Sequence, residues 1–218
     1  MGSITRSLSN NITTGGVILP AGITNSSVSA VTSFANASGG TLVLLSTQTA
    51  SSSANISFTT GLDSTYDYYE FHFINLKNST ATQFQFNGST DGGSNYNVTK
   101  TTTYFVATHA ENDAESAIVY ATANDLAQST GYQYVVGDLK FDTDASVSGV
   151  LQLFNPSSTT YVKHFISRCN FMAGDPASQE VNMAGYFNTT SAINAINFRM
   201  TSGNISDGII KLYGVKKS

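Results

Sequence analysis

Three histidines, one cysteine and a few short runs of carboxylates are the residues in this chain with chemistry to offer. A catalytic or metal centre needs such groups to converge, as a nucleophile beside a base or as several ligands around one ion. His109 is followed by Glu111, Asp113 and Glu115, an alternating acidic loop that could offer oxygen ligands to a hard cation. The fixed glycine and terminal glutamate of a calcium loop are absent, so no metal is assigned. Asp142 and Asp144 read as a strand-end turn. Asp63, Asp67 and Glu70 lie close in sequence, and paired carboxylates serve glycoside hydrolysis when they flank one cleft. The chain has no Trp, so Tyr66, Tyr68, Tyr96 and Tyr104 would have to supply any aromatic sugar platform. His72 and His164 fall on the polar side of alternating patterns and read as surface residues. Cys169 reads as a buried structural thiol. A lone cysteine excludes an intrachain disulfide and a multi-cysteine zinc site. No nucleophile elbow, phosphate loop or dinucleotide fingerprint occurs. The expectation is a protein that is not an enzyme and holds no cofactor.

The elements that position these residues read as strands. Tyr69, Phe71 and Phe73 alternate with Glu70 and His72, the period of a strand with one buried face. Phe84 and Phe86 alternate with Gln83 and Gln85. The polar run Lys77–Thr80 between them predicts an antiparallel hairpin. Further strands are expected at 41–46, 55–59, 103–107, 133–141, 147–155, 161–170, 179–188, 193–200 and 205–215. The 147–155 and 161–170 segments should pair, and Ser202-Gly203-Asn204 should join the last two strands tightly. Residues 114–127 fit a short helix or, around Val119-Tyr120, a strand. Gly92-Gly93 supplies turn positions with positive φ. Roughly ten short strands at this spacing predict an all-β, jelly-roll-like antiparallel sandwich.

Composition narrows the role. The chain has 218 residues, of which 11% are charged, against roughly 25% in typical soluble domains. Its polar surface must come from Ser, Thr, Asn, Gln and Gly. With 13 Phe and 11 Tyr it is not a disordered composition. A weakly charged, neutral polar surface suits a chain that packs against copies of itself or sits in a large assembly. The net charge is −4 and the basic residues are dispersed, so nucleic acid is not an expected partner. Neither a secretion signal nor a membrane span is read in the sequence. The Asn-x-Ser/Thr triplets at Asn55, Asn78, Asn87, Asn97 and Asn204 read as chance matches in so amide- and hydroxyl-rich a chain.

Residues 1–40 differ from the rest: rich in Ser, Thr, Asn and Gly, with Phe34 as the one aromatic residue. They are expected to form an extended N-terminal attachment arm that orders against a partner, with the sandwich spanning 41–218. Short apolar anchors, Ile4, Leu8, Ile12, Val17, Ile18 and Leu19, would dock in a groove or add to a sheet edge.

Several pieces occur together in a recognisable order. They are Tyr68-Tyr69-Glu70-Phe71, then Phe84-Gln85-Phe86-Asn87-Gly88-Ser89-Thr90-Asp91-Gly92-Gly93, then Ser148-Gly149-Val150-Leu151-Gln152-Leu153-Phe154-Asn155-Pro156. The chain ends with Ile196-Asn197-Phe198-Arg199, Ser202-Gly203-Asn204-Ile205, Gly208 and Leu212-Tyr213-Gly214-Val215. Over residues 41–218 this resembles the small jelly-roll virion proteins of tailed bacteriophages. The resemblance implies capsid decoration, or a head or tail fibre, usually as a trimer among other virion proteins and assembled in the host cytoplasm. It carries over no catalytic residues. The rival expectation is a receptor- or glycan-binding module of lectin type, with loop-borne Tyr, Asn and Asp contacting a host sugar.

Overall fold

The alternation seen in the sequence becomes strand after strand in a computed structural model, which describes residues 41–174 and 176–215. The described residues form twelve strands and no helix: β1 (Leu42–Thr49), β2 (Ile56–Phe58), β3 (Tyr68–Asn78), β4 (Thr82–Ser89), β5 (Lys100–Ala110) and β6 (Ser116–Tyr120), then β7 (Gln133–Leu139), β8 (Val147–Phe154), β9 (Lys163–Met172), β10 (Ala177–Phe187), β11 (Ala195–Met200) and β12 (Ile205–Val215). Along β9 every odd residue from Lys163 to Phe171 is buried and every even one from His164 to Asn170 is exposed, as a strand with one face on a core must be.

The strands form two antiparallel sheets. One has eight strands in the order β1-β12-β3-β8-β9-β10-β5-β6, and the other has four in the order β2-β11-β4-β7. Without β5, β6, β9 and β10, the remaining eight strands, counted along the chain, stand in the orders 1-8-3-6 and 2-7-4-5. That is the double Greek key of a jelly roll. The other four strands are two antiparallel hairpins, β5–β6 and β9–β10, inserted after β4 and after β8. They dock side by side through β5 and β10 and lengthen one sheet only. The longer sheet therefore runs past β7, the edge of the shorter one.

The core lies between the sheets. Phe198 of β11 is its hub, with ring centroids of Phe71, Phe73, Phe84, Phe58 and Phe86 at 5.2, 5.3, 5.8, 6.2 and 6.3 Å. Most of these pairs are edge-to-face, the arrangement the ring quadrupoles favour.

One expected connection is corrected here. The segments 69–76 and 81–87 do not form a hairpin: β3 lies in the long sheet and β4 in the short one. Residues 79–81 arch between the sheets, so that Phe73 and Phe84 meet across the core at 5.2 Å. Asn78 braces the arch, its buried Nδ2 donating to the carbonyls of Thr80 and Leu139. Likewise Ser202-Gly203-Asn204 links β11 to β12 across the sandwich. In both places the apolar residues on each side of the turn demand the same core, and an arch satisfies both where a hairpin would not. Residues 116–120 form a strand, and β8 pairs with β9 as expected. Gly92 and Gly93 adopt φ of 73° and 91°. The anchors Ile4, Leu8, Ile12, Val17, Ile18 and Leu19 lie outside the described residues.

Candidate functional site

The overhang of the long sheet leaves an outer face that the core does not use and an inner recess at the core's margin. On the outer face, Phe105 of β5 and Tyr120 of β6 pack edge-to-face at 5.0 Å. Ile118 beside them is 80% exposed, and Phe105 45%. Among the described residues β6 ends the sheet order, and none of them pairs with the outer side of its backbone. Its sequence, Ser-Ala-Ile-Val-Tyr, carries no charge and no proline, the usual devices that blunt an edge. The opposite edge, β1, is also uncharged, and there Leu42 and Leu44 are exposed.

On the inner face, beyond β7, the overhang walls a cavity of about 390 Å³. Tyr104, Val106 and Thr108 of β5 face it, with Val119 of β6 and Gln179 of β10. Gln83 of β4, Glu115 from the β5–β6 turn and Asn124 from the following loop complete the walls with Gly137 and Asp138. The pairing of β7 with β4 shifts register twice, and Asp138 takes φ of +49°. Such irregularities re-aim side chains, and here Gly137 and Asp138 both border the cavity. Gly137 holds it open: a Cβ there would lie 3.2 Å from Asn124 Nδ2 and 3.7 Å from the Tyr104 hydroxyl.

Tyr104 is fully buried. Its hydroxyl has the Gly137 backbone beside it, but among the described residues no group meets it with hydrogen-bond geometry. Burial raises its pKa strongly. No hydrogen bond among the described residues engages the side chains of Gln83, Asn124, Asp138 or Gln179 either. The cavity thus gathers amides and a carboxylate that no hydrogen bond among the described residues engages.

The candidates read from the sequence are dispersed. Asp63 is tied into its own turn, its Oδ1 accepting from the Thr65 N–H at 2.8 Å and the Tyr69 hydroxyl at 3.0 Å. These bonds hold its carboxyl below the usual range, Thr65 contributing most. Glu70 sits on the outer face of β3, pairing with His72 Nε2 at 2.7 Å and accepting from Gln152 Nε2 at 2.9 Å. Asp63 and Glu70 are therefore each occupied, one at a turn and one on a sheet face, and do not converge on a cleft. Of the four tyrosines, Tyr66 packs on Tyr69, Tyr68 stacks on Phe154, and Tyr96 approaches Gly93. Tyr104 borders the cavity that also bears Glu115 and Asp138. His109 pairs with Asp113 at 3.0 Å on an exposed turn, and His164 is exposed on β9. Asp142 pairs with Lys140 at 3.4 Å and caps the Thr143 N–H. Among the described residues no group of three His, Cys, Asp or Glu side chains is arranged to hold a metal. Cys169 is buried, and burial pushes its thiol up to about 12.

Two buried lysines had no counterpart in the sequence reading. Lys100 and Lys163 both pair in register with Phe187, one from each side, and both are fully buried. Lys100 Nζ donates to the Gly131 carbonyl at 2.5 Å, and Lys163 Nζ to the carbonyls of Tyr161 and Thr189 at 2.7 and 3.1 Å. Among the described residues neither has a carboxylate at ion-pair distance. Their role is to fasten three loops at one end of the sandwich.

Set against known protein families, curated proteins and solved structures, the chain matches none of them.

Proposed function

We propose that this chain is a non-enzymatic structural component of a tailed-phage virion, a surface decoration or cement protein or short fibre anchored by residues 1–40. The observation that carries the reading is the pair of uncharged edges on the long sheet, unpaired among the described residues and each bearing exposed apolar side chains. Ser116–Tyr120 at one edge and Leu42–Thr49 at the other differ in sequence but share this chemistry. Edges of this kind template pairing with another chain. Two different edges on one subunit favour a head-to-tail contact, which closes into a ring when the rotation allows. A trimer fits this geometry and the resemblance of residues 41–218 to phage jelly rolls. The low charge of the whole chain supports the same reading, because it removes the repulsion that keeps monomers apart.

The arm supplies attachment in this account, through Ile4, Leu8, Ile12, Val17, Ile18 and Leu19 on a neighbouring virion protein. The test is incorporation into particles. Full-length chain is expected to co-sediment with particles of the encoding phage. Chain lacking residues 1–40 is expected to fold, with an unchanged β-sheet circular dichroism spectrum, and to stay in the supernatant. Incorporation of the truncated chain at the full-length level would refute the role of the arm.

A further inference from the structure

We infer that β6 of one subunit pairs with β1 of a second copy of this chain, antiparallel and in one register, so that the long sheet continues from subunit to subunit. This contact rests on the assembly proposed above and fixes its strands, direction and residues. Direction follows from the strand count. Every pairing in the long sheet is antiparallel. Its eight strands therefore alternate in direction, and the two edge strands run oppositely. Rotation about an axis along the strands leaves those directions unchanged. A second copy placed that way presents its β1 antiparallel to β6, the pairing whose hydrogen bonds run straight across the strands.

Register follows from the side chains. Tyr120 and Ile118 pair with Phe105 and Ala107 on the outer face, and Val119 lines the inner recess. On β1, Leu44 pairs with Tyr213, which shares the outer face with Glu70. Leu42, two residues away, lies on the same face. Leu45 packs against the core on the inner side. Outer residues must meet outer ones, because a slip of one residue turns every side chain over. One antiparallel register sets Tyr120 opposite Leu42, Val119 opposite Val43, Ile118 opposite Leu44 and Ala117 opposite Leu45. All of these pairs are apolar. The outer ones join side chains that the single subunit leaves exposed, Leu42 by 42%, Leu44 by 52%, Ile118 by 80% and Tyr120 by 42%. A slip of two residues puts Ile118 opposite Ser46 in one direction, or Leu44 opposite Ser116 in the other. The register shift between Leu44 and Ser46 interrupts the regular edge where the apolar run of β1 ends. Neither strand carries a charge, so the juxtaposition meets no repulsion. Pairing β6 with another β6 would cover Ile118 and leave Leu42 and Leu44 bare, whereas the head-to-tail contact covers both edges.

The experiment is disulfide trapping in the full chain, whose own Cys169 is buried. One double variant joins Leu44→Cys to Ile118→Cys, and a second joins Leu42→Cys to Tyr120→Cys. The four single variants are run beside them. Directly opposite residues of an antiparallel pair have Cα atoms about 4.5–5.5 Å apart, within the span of a disulfide. The paired positions lie on opposite edges of one subunit, so a link between them joins two subunits. After mild oxidation both double variants are expected to shift on non-reducing gels from one subunit to species larger than a dimer, and reductant to reverse the shift. The single variants are expected to stay at one subunit. Circular dichroism verifies that each variant folds, and either pair keeps the test decisive should the other unfold. Light scattering of the parent separates this contact from the assembly reading. An oligomeric parent whose folded double variants do not cross-link overturns the contact and leaves assembly standing. Cross-links in one of two folded double variants, or a dimer from Ile118→Cys alone, do the same. A parent mass of one subunit overturns the assembly reading and this contact with it.

Discussion

Lys100 is a cation buried against the ring of Phe187, with its ammonium 5.7 Å from the ring centroid and a carbonyl as its hydrogen-bond partner. Burial pulls its pKa down to about 7, from 10.5 in an unstructured chain. Between those values the unfolded chain binds more protons than the folded one, so stability rises with pH, by up to about 1.4 kcal/mol per pH unit. Below about pH 7 both states are protonated and the folded state bears the full burial penalty. Above pH 10 the sign reverses, because burial pushes the Tyr69 hydroxyl up to about 12 and the unfolded tyrosines ionise first. Urea midpoints are expected to climb from pH 7 toward 10 and to fall beyond it. Lys100→Met should flatten the climb, and a climb of unchanged slope in that variant would assign it to other groups. At Tyr104 the expectation is stability equal to or about 1 kcal/mol above the parent for Tyr104→Phe, since the lost hydroxyl has no partner to abandon. A loss of stability would reveal a hydrogen bond there.

At the scale of elements, the arches and the overhang govern the behaviour. Phe198 joins both sheets through five aromatic neighbours, so Phe198→Ala is expected to destabilise by about 3–5 kcal/mol in urea melts. Gly149 lets β8 lie tightly against β9. A Cβ there would sit 2.6 Å from the Cα of Cys169, so Gly149→Ala should weaken that pairing, read as faster amide exchange in both strands. The strand at 69–76 was legible because its aromatic residues alternate with polar ones. Its partner was not, because a four-residue polar turn looks the same joining neighbours in one sheet or arching between two. What decides is the shared core of Phe73 and Phe84, a long-range fact. In β4 alternation itself fades: six of its eight residues, from Phe84 to Ser89, are buried in succession. Asn87, which belongs on an outer face, is covered where it donates to the carbonyls of Tyr96 and Thr130. The cavity was legible only at Tyr104, one of four tyrosines weighed as a sugar platform, and at Glu115, weighed as a cation ligand. Gln83, Asn124 and Gln179 are isolated amides in an amide-rich chain, and only the overhang of the inserted hairpins brings them to one wall.

For the whole molecule, the jelly-roll sandwich was readable from strand number and spacing, while its division into eight and four strands was not. The unequal division matters most, since it creates the β6 edge, bare among the described residues, the exposed pair Phe105 and Tyr120, and the recess behind them. Ile118→Asp places a charge on that edge at a position 80% exposed. It should leave the fold intact and abolish self-association, as charged edges do in monomeric sheet proteins. The mass of the full chain by size-exclusion light scattering tests the central claim most directly. A 23.1 kDa subunit that assembles through its sheet edges as a trimer gives about 69 kDa, three subunits in a closed ring. A mass of one subunit across the whole accessible concentration range would contradict the account.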